Sequence, residues 1–372
     1  MKIFLDARNP RFNGSWTYIE NLLPALVRLH PDHRYTVLYD RVHGPLGLAQ
    51  VVEMVHPSLS SLAWIAWSHT GLPRLLKRGR YQIYHSLKQM NSFRGAARRL
   101  YTVHGAHHFV YPQLRPWYDG IYWRALTRSA ARTSDLMVAV SESDKRHLEY
   151  FAGIEESKIA VTHLAPAPRF RPLDNWERRE RVRRTLGLTY PFVLYVGRVD
   201  PYKNIAGMIR AFARLHSRRP SEHRLVIVGE KRGYQAGGVF ALVQRLGLQD
   251  RVVFTGHVHE DLEVIYNLAE CFLFPSLYEA FGLAAVEAMA CGLPVISSPV
   301  AGCIDVVGDA GILVDPLDAD AISAALERVL HSDTLRQSLS RASLERAARF
   351  SWERCARETF ALYERVLSDG GA

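Results

Sequence analysis

The chain has 372 residues, 48% of them hydrophobic and 23% charged. These values exclude a disordered, fibrous or coiled-coil protein and leave room for two cores. Lys and Arg outnumber Asp and Glu by 47 to 37, a net charge of +10, which favours acidic partners: phosphates, nucleic acids or anionic lipid surfaces. The four cysteines, Cys271, Cys291, Cys303 and Cys355, are spaced for neither a disulfide framework nor a zinc site, so a cytoplasmic home is expected. No signal-peptide core follows Met1. No run reaches the roughly 18 uncharged apolar residues of a membrane span, so any membrane contact would be peripheral.

In chain order, strands are expected at Ile3–Asp6, Tyr35–Tyr39, Tyr81–His85, Leu100–His104 and Leu136–Val140, with helices such as Tyr18–Leu29 and Tyr118–Ala131 between them. Residues 165–189 open on A-P-A-P-R-F-R-P, where proline breaks regular structure. Continuous Val/Ile/Phe-rich runs follow at Phe192–Gly197, Leu225–Gly229, Val252–Gly256, Cys271–Ser276, Pro294–Ser298 and Gly311–Asp315. They read as strands covered on both faces. Between them lie amphipathic segments, for example Ile205, Met208, Ile209, Phe212 and Leu215 at helical spacing. Strand alternating with helix implies two parallel, doubly wound sheets, which bind ligands at the carboxyl ends of their strands. A last helix opens at Ser351, with Trp352, Phe360 and Leu362 as packing residues.

Several strand ends carry residues suited to chemistry. In the first turn, R-F-N-G-S-W-T-Y, Gly14 permits close approach of the backbone to a phosphate or sugar. Trp16 there is either a stacking platform or a staple for the next helix. His104 ends the strand L-Y-T-V-H and can donate or accept a hydrogen bond, with His107 and His108 just beyond. The strand F-V-L-Y-V-G runs into R-V-D-P-Y-K-N, which places Arg198 and Lys203 where two cations can neutralise a diphosphate. After C-F-L-F-P-S, Glu279 falls in a loop, Gly282 precedes a helix starting at Leu283, and Glu287 lies in its second turn among Ala, Val and Met. A carboxylate in so apolar a setting needs a hydrogen-bond partner. The helix start between the two acids offers free amides and a positive dipole end to an anion. The arrangement suits a ligand with an anionic middle and hydroxyls at each end, as in a nucleotide diphosphate-sugar. Backbone around Gly256–Val258 is a candidate for reading the base. Asp318-Ala-Asp320 precedes a helix pattern and is explained by capping, so no metal is assigned.

The segment from Glu279 to Glu287 strongly resembles the E-x7-E signature of retaining family 4 glycosyltransferases, and the resemblance continues through A-M-A-C-G-L-P-V-I-S-S and V-V-G-D-A-G-I-L-V-D-P. It implies the GT-B fold, two Rossmann-like domains facing each other across a cleft. These would be an acceptor domain at 1–170, a linker at 171–189, a donor domain at 190–350 and a C-terminal helix at 351–372 that packs back on the first domain. It implies that Glu279 contacts donor-sugar hydroxyls and Glu287 the ribose. Arg198 and Lys203, in G-R-x-x-x-x-K-N, would bind the diphosphate, and Gly14, Gly256, Val258, Gly282 and Leu283 would complete the donor-binding set. The catalytic set is then Glu279, His104, Arg198 and Lys203. The family usually follows its histidine with Asp, and its first turn reads G-x-G-R-Y. Here Gly105, Trp16 and Thr17 stand in those places, so no carboxylate role is carried over at Gly105 and no phosphate contact at Trp16 or Thr17.

The expected activity is transfer of a hexose, mannosyl as first guess, to a saccharide or lipid-linked acceptor in polysaccharide synthesis. It would proceed with retention, with no metal and no cofactor beyond the nucleotide-sugar co-substrate. A sugar-nucleotide epimerase of GT-B architecture stays open as an alternative. Nucleic-acid binding is suggested only by charge, with no helix-turn-helix, zinc or RNP pattern, and a nicotinamide enzyme lacks G-x-G-x-x-G. Basic segments at Ser68–Arg80, along Arg124, Arg128 and Arg132, and at Arg169–Arg184, with seven Arg against three acids, could meet an anionic membrane surface.

Overall fold

The structure, a computed structural model, describes residues 1–8, 14–56, 61–88, 95–96, 98–114, 117–230, 236–258 and 260–369, with the backbone alone at 61–65 and 236. The chain forms two compact units, Met1–Leu164 with Ser351–Ala372, and Ala165–Phe350.

The first unit is built on a seven-stranded sheet. Its strands are β1 Lys2–Asp6, β2 Arg34–Tyr39, β3 Val51–Val55, β4 Ile83–Ser86, β5 Arg98–Val103, β6 Leu136–Ala139 and β7 Ile159–Val161. Their order is β3-β2-β1-β4-β5-β6-β7. All pairings are parallel, with register set by pairs such as Asp6 with Leu38 and Asp6 with Ser86. β4 and β6 are buried at every position, and β1 and β5 at all but their first residues, as strands covered on both faces require. β3 and β7 were not among the expected strands. β3 is an edge strand with Val52 and Val55 exposed, so V-V-E-M-V lacks a fully buried run. β7 has only three residues.

The last helix, Trp352–Ser368, belongs to this unit. Ser351 caps it by accepting from the Arg354 amide. It packs on the helix Gly14–Leu29: Trp352 and Phe360 are buried, Phe360 stacks on His30 at 3.6 Å between centroids, and Arg28 meets Glu353 at 2.5 Å. Leu362 is only half-buried, and the fully buried residue of that turn is Tyr363, whose hydroxyl lies 2.7 Å from His85 Nδ1.

The second unit has six parallel strands: β8 Phe192–Val196, β9 Arg224–Val228, β10 Val252–Gly256, β11 Cys271–Phe274, β12 Val295–Ser297 and β13 Ile312–Leu313. Their order is β10-β9-β8-β11-β12-β13. β8 and β11, which carry the basic and acidic loops, are therefore neighbours. The helix Ile205–Arg218 buries Ile205, Met208, Ile209, Phe212 and Leu215, the residues at helical spacing. The stretch 171–189, expected as a linker, contains the helix Trp176–Thr185 and lies within this unit. Asn175 caps that helix, and Arg178 pairs with Asp261 and Glu263 at the helix Leu262–Leu268. Its charge is thus spent on packing, which outweighs the proline-rich entry.

Candidate functional site

The site in the second unit is assembled where β8 and β11 end. β8 leaves into Gly197 at φ 150°, and β9 into Gly229 at φ 154°, where a Cβ would lie 2.0 Å from the Gly197 carbonyl oxygen. Only glycine allows two strand ends to approach so closely. The chain then carries Arg198, Asp200 and a single tight turn, Pro201–Lys203. Asp200, 6% exposed, takes Arg198 Nη2 at 2.9 Å on Oδ2 and the Tyr202 hydroxyl at 3.1 Å. The Tyr195 hydroxyl donates to the Arg198 carbonyl at 3.1 Å. Burial alone would lower the Arg198 pKa; the Asp200 charge more than offsets it, and the guanidinium is held above its ordinary value.

Lys203 points to the loop after β11. Its Nζ donates to both oxygens of Glu279, at 2.6 and 2.7 Å, and lies over the Phe274 ring at 5.5 Å. Burial disfavours the ammonium, yet Glu279 raises its pKa above the ordinary value, so Lys203 is charged. Ser276 Oγ donates to Glu279 Oε1 at 2.7 Å, and Ser298 Oγ holds the Ser276 carbonyl at 2.5 Å. The two loops are tied by the Leu277 amide donating to the Tyr202 carbonyl at 2.7 Å. Asn204 Nδ2 reaches the carbonyls of Pro275 and Pro316 at 3.1 and 2.6 Å.

From Glu279 the chain passes Gly282, left-handed at φ 95°, into the helix Leu283–Ala290. This glycine turns the chain so that the amides of Leu283 and Ala284 open the helix without a carbonyl four residues back. The Gly302 amide donates to the Glu279 carbonyl at 2.9 Å, and a Cβ at Gly302 would come within 2.4 Å of Phe281 Cα, so this loop is pinned by backbone contact. Glu287 is 8% exposed, with Oε2 3.2 Å from the Tyr266 hydroxyl. The Tyr266 hydroxyl is held neutral by burial and by the Glu287 charge.

The structure therefore brings together Arg198, Lys203, Glu279, Gly282, Leu283 and Glu287. Gly256, at φ 81°, ends β10, two strands from β8, and Val258 follows it. His104 and Gly14 belong to the first unit. His104 follows β5 and precedes Gly105 at φ 128°. Its Nε2 lies 2.8 Å from the Leu87 carbonyl, an acceptor, so Nε2 carries the hydrogen and Nδ1 is left as an acceptor. Burial, aided by Lys88 and opposed by the Leu87 carbonyl, lowers its pKa to about 4, so the ring is neutral at neutral pH. Gly14 opens the helix Gly14–Leu29, and residues 9–13 lie outside the described set. Trp16 is buried and stacks on His43 at 3.8 Å rather than standing open as a platform. Asp318 caps its helix by accepting the amides of Asp320 and Ala321, and Asp320 receives Arg214 and Arg218.

Asp200, Ser276 and Tyr266 were not singled out from the sequence. Asp200 and Ser276 sit inside the quoted runs R-V-D-P-Y-K and C-F-L-F-P-S, so the signal was position at a strand end. Tyr266 carries no local signal, because its link to Glu287 is made by folding.

The family model for glycosyl transferases group 1 matches residues 177–346, and that for glycosyltransferase family 4 matches residues 12–165. The chain is 31% identical to the O-antigen chain mannosyltransferase B of Escherichia coli over 72% of this chain and 70% of that one. It spans less than a third of the length of two further relatives. Among solved structures, sucrose-phosphate synthase of Thermosynechococcus elongatus superposes with a TM-score of 0.79, 23% identity and full coverage of both chains. Anabaena HepE in complex with UDP-glucose superposes with a TM-score of 0.76 and 19% identity over 97% of this chain and 100% of that one. Two parallel-sheet Rossmann-like units, these neighbours and the two family matches together make the fold GT-B, and the chain belongs to the family 4, group 1 glycosyltransferases.

Proposed function

We propose that this enzyme transfers a mannosyl group from a nucleotide diphosphate-mannose to a saccharide or lipid-linked saccharide acceptor in polysaccharide synthesis, with retention at the anomeric carbon and without a metal or further cofactor. The observation that carries it is the buried Lys203–Glu279 pair beside Arg198 at adjacent strand ends. A diphosphate placed there meets two cations, and the sugar beyond it meets a carboxylate already oriented by Ser276. The mannosyl choice is supported by the relative from Escherichia coli named above, and the nucleotide-sugar by the complexed neighbour.

In the reaction, the bond from the anomeric carbon to the β-phosphate oxygen breaks as the acceptor oxygen bonds the same face. The acceptor proton passes to the departing phosphate oxygen. Arg198 and Lys203 stabilise the charge gathering on that phosphate, where fixed cations lower the barrier most. Glu279 orients the sugar through its hydroxyls, and Glu287, held by Tyr266, takes the ribose hydroxyls. His104 offers Nδ1 as an acceptor for a sugar hydroxyl.

The test is an assay of purified protein with GDP-mannose and UDP-sugars, with and without chelator, the product anomer read by NMR. Retained configuration, unchanged rate with chelator and loss in Lys203→Met are expected. Acceptor-free epimerisation of donor, or a Lys203→Met variant as active as wild type, overturns the reading.

A further inference from the structure

The turn Pro201–Lys203 passes into the helix Ile205–Arg218 through one residue, Asn204, left-handed at φ 57° and ψ 37°. Asparagine tolerates this region better than most residues with a side chain. At the start of a helix it ordinarily turns back to accept an amide of the first turn. Asn204 makes no such bond. Its Nδ2 instead donates to two carbonyls outside the helix, Pro275 at 3.1 Å and Pro316 at 2.6 Å. Pro275 follows β11 and precedes Ser276, whose hydroxyl orients Glu279, and Pro316 lies beyond β13. One primary amide, with both its hydrogens used, thus ties the end of β8 to the loops beyond β11 and β13.

The helix it opens makes room for that amide. Gly207 is buried in the first turn of Ile205–Arg218, and its φ is not left-handed, so the backbone does not call for glycine there. Glycine inside a helix is less favourable than alanine. A Cβ at residue 207, however, would lie 2.6 Å from Asn204 Nδ2 and 2.7 Å from its Cγ, and the nearest atoms to it all belong to the Asn204 amide group. The helix gives up a side chain where the Asn204 amide needs the space. Lys203 is the residue before Asn204, and Glu279 lies on the loop that begins at Pro275. The Asn204 amide therefore holds the backbone from which both partners of the Lys203–Glu279 pair project.

We propose that Asn204, seated by Gly207, is a positioning residue of the transfer reaction: it keeps Lys203 and Glu279 in register for the sugar nucleotide by fixing the loops after β8, β11 and β13 to one another. This rests on the roles given above to Lys203 and Glu279. Position 204 then needs two properties at once, a backbone that accepts the left-handed region and a short side chain with two donors. Glycine supplies only the first, and aspartate would set an acceptor against two carbonyls.

The experiment compares wild type with Asn204→Gly, Asn204→Asp, Gly207→Ala, the double variant Asn204→Gly/Gly207→Ala, and Lys203→Met. Release of GDP from GDP-mannose and of UDP from UDP-glucose gives kcat and KM, and denaturant midpoints give stability. Asn204→Gly and Asn204→Asp should each lower kcat about 10- to 100-fold with the donor KM little changed, as expected when a group acting in the transition state is displaced. Gly207→Ala should lower kcat to a similar extent, because its methyl turns the amide away. In the Asn204→Gly background the amide is absent, so the same methyl should cost no further rate and should raise the unfolding midpoint, as alanine does in a helix. A merely structural role would lower the midpoints and leave kcat at the wild-type value, and that result would overturn the proposal. So would a Gly207→Ala loss of rate that persists undiminished in the Asn204→Gly background. An impaired Lys203→Met beside fully active Asn204 and Gly207 variants strikes this inference alone. Lys203→Met as active as wild type strikes the reading of the site and this inference with it.

Discussion

The two units carry nearly the same sheet and spend their buried polar residues in opposite ways. In the second, charges of opposite sign meet at adjacent strand ends: Lys203 with Glu279, Arg198 with Asp200. In the first, residues at the ends of β4 and β5 form a neutral chain in which His85 joins Tyr363 and Thr102, Thr102 meets Tyr18 at 3.2 Å, and Tyr18 lies edge-on to His104. The ion pairs are partly open, with the Arg198 side chain 37% and Lys203 16% exposed, so an anion can join them. Among the described residues the first unit holds a fully buried ion pair, Asp6 with Arg8, to which Tyr84 and Ser68 also hydrogen-bond. Reactive charge is thus kept at an accessible strand end, while the neutral network fixes the C-terminal helix to the first sheet.

The largest effects should come from breaking the charged cluster. Lys203→Met and Glu279→Gln each should lower the turnover rate about 10²- to 10³-fold, the scale on which a preorganised charge acts. Each also leaves its partner buried without a counter-charge, a loss of about 3–5 kcal/mol in stability. The double variant should recover most of that stability and none of the rate, as denaturant midpoints and initial rates would show. A double variant as unstable as the worse single would mean that the pair is not the unit of stabilisation.

The neutral network should reveal itself in acid. His85 is held down to about 3 by burial and by neighbouring His104, and His104 to about 4 by burial. An unfolded chain protonates both near the ordinary histidine value of about 6.5, so between that pH and about 4 the unfolded state binds more protons. Stability is therefore full above about pH 6.5 and falls as the pH drops, by up to about 1.4 kcal/mol per unit for each histidine. Urea midpoints at several pH values, for wild type and His104→Gln, would check it. The variant should show a shallower slope whatever its absolute stability, and an equal slope would remove His104 from the account.

Much of this contrast can be read in the sequence, and more easily in the second unit. The continuous runs beginning at Phe192, Leu225 and Cys271 place strands because residues buried on both sides must all be apolar. Arg198, Lys203 and Glu279 stand out because they follow such runs at once. Helix Leu283–Ala290 is bounded by glycines that a local rule recognises. The first unit is harder. Edge strand β3 is half-exposed and mixes Glu53 into its run, and His104 is one of 16 histidines, so its partners Leu87 and Tyr18 appear only on folding. Helix Trp176–Thr185 was hidden by its seven-arginine neighbourhood, because the acids that neutralise Arg178 lie more than 80 residues further on.

Asp200 sharpens the comparison at a smaller scale. It touches Arg198 and Tyr202 and acts through them, as a positioning residue. Asp200→Asn keeps the size and loses the charge, so Arg198 should be freed to swing. The donor KM should rise about tenfold, the cost of one charged hydrogen bond, while the unfolding midpoint moves little. A fall in kcat with an unchanged KM would instead place Asp200 against the reacting sugar.

The smallest effect belongs to Tyr266, which links the charged site to the sheet behind it. Its hydroxyl is 3.2 Å from Glu287 Oε2 and 3.3 Å from the Ala284 carbonyl, and one proton serves one of them at a time. Tyr266→Phe keeps the ring, which packs edge-on to Phe170 at 5.6 Å, and removes only the hydroxyl. Glu287 then loses a neutral donor worth about 1 kcal/mol, so nucleoside diphosphate should bind about fivefold more weakly. The affinity of a bare pyrophosphate, which has no ribose, should not change. Equal weakening of both ligands in calorimetry would show that Tyr266 supports the helix as a whole rather than the carboxylate it touches.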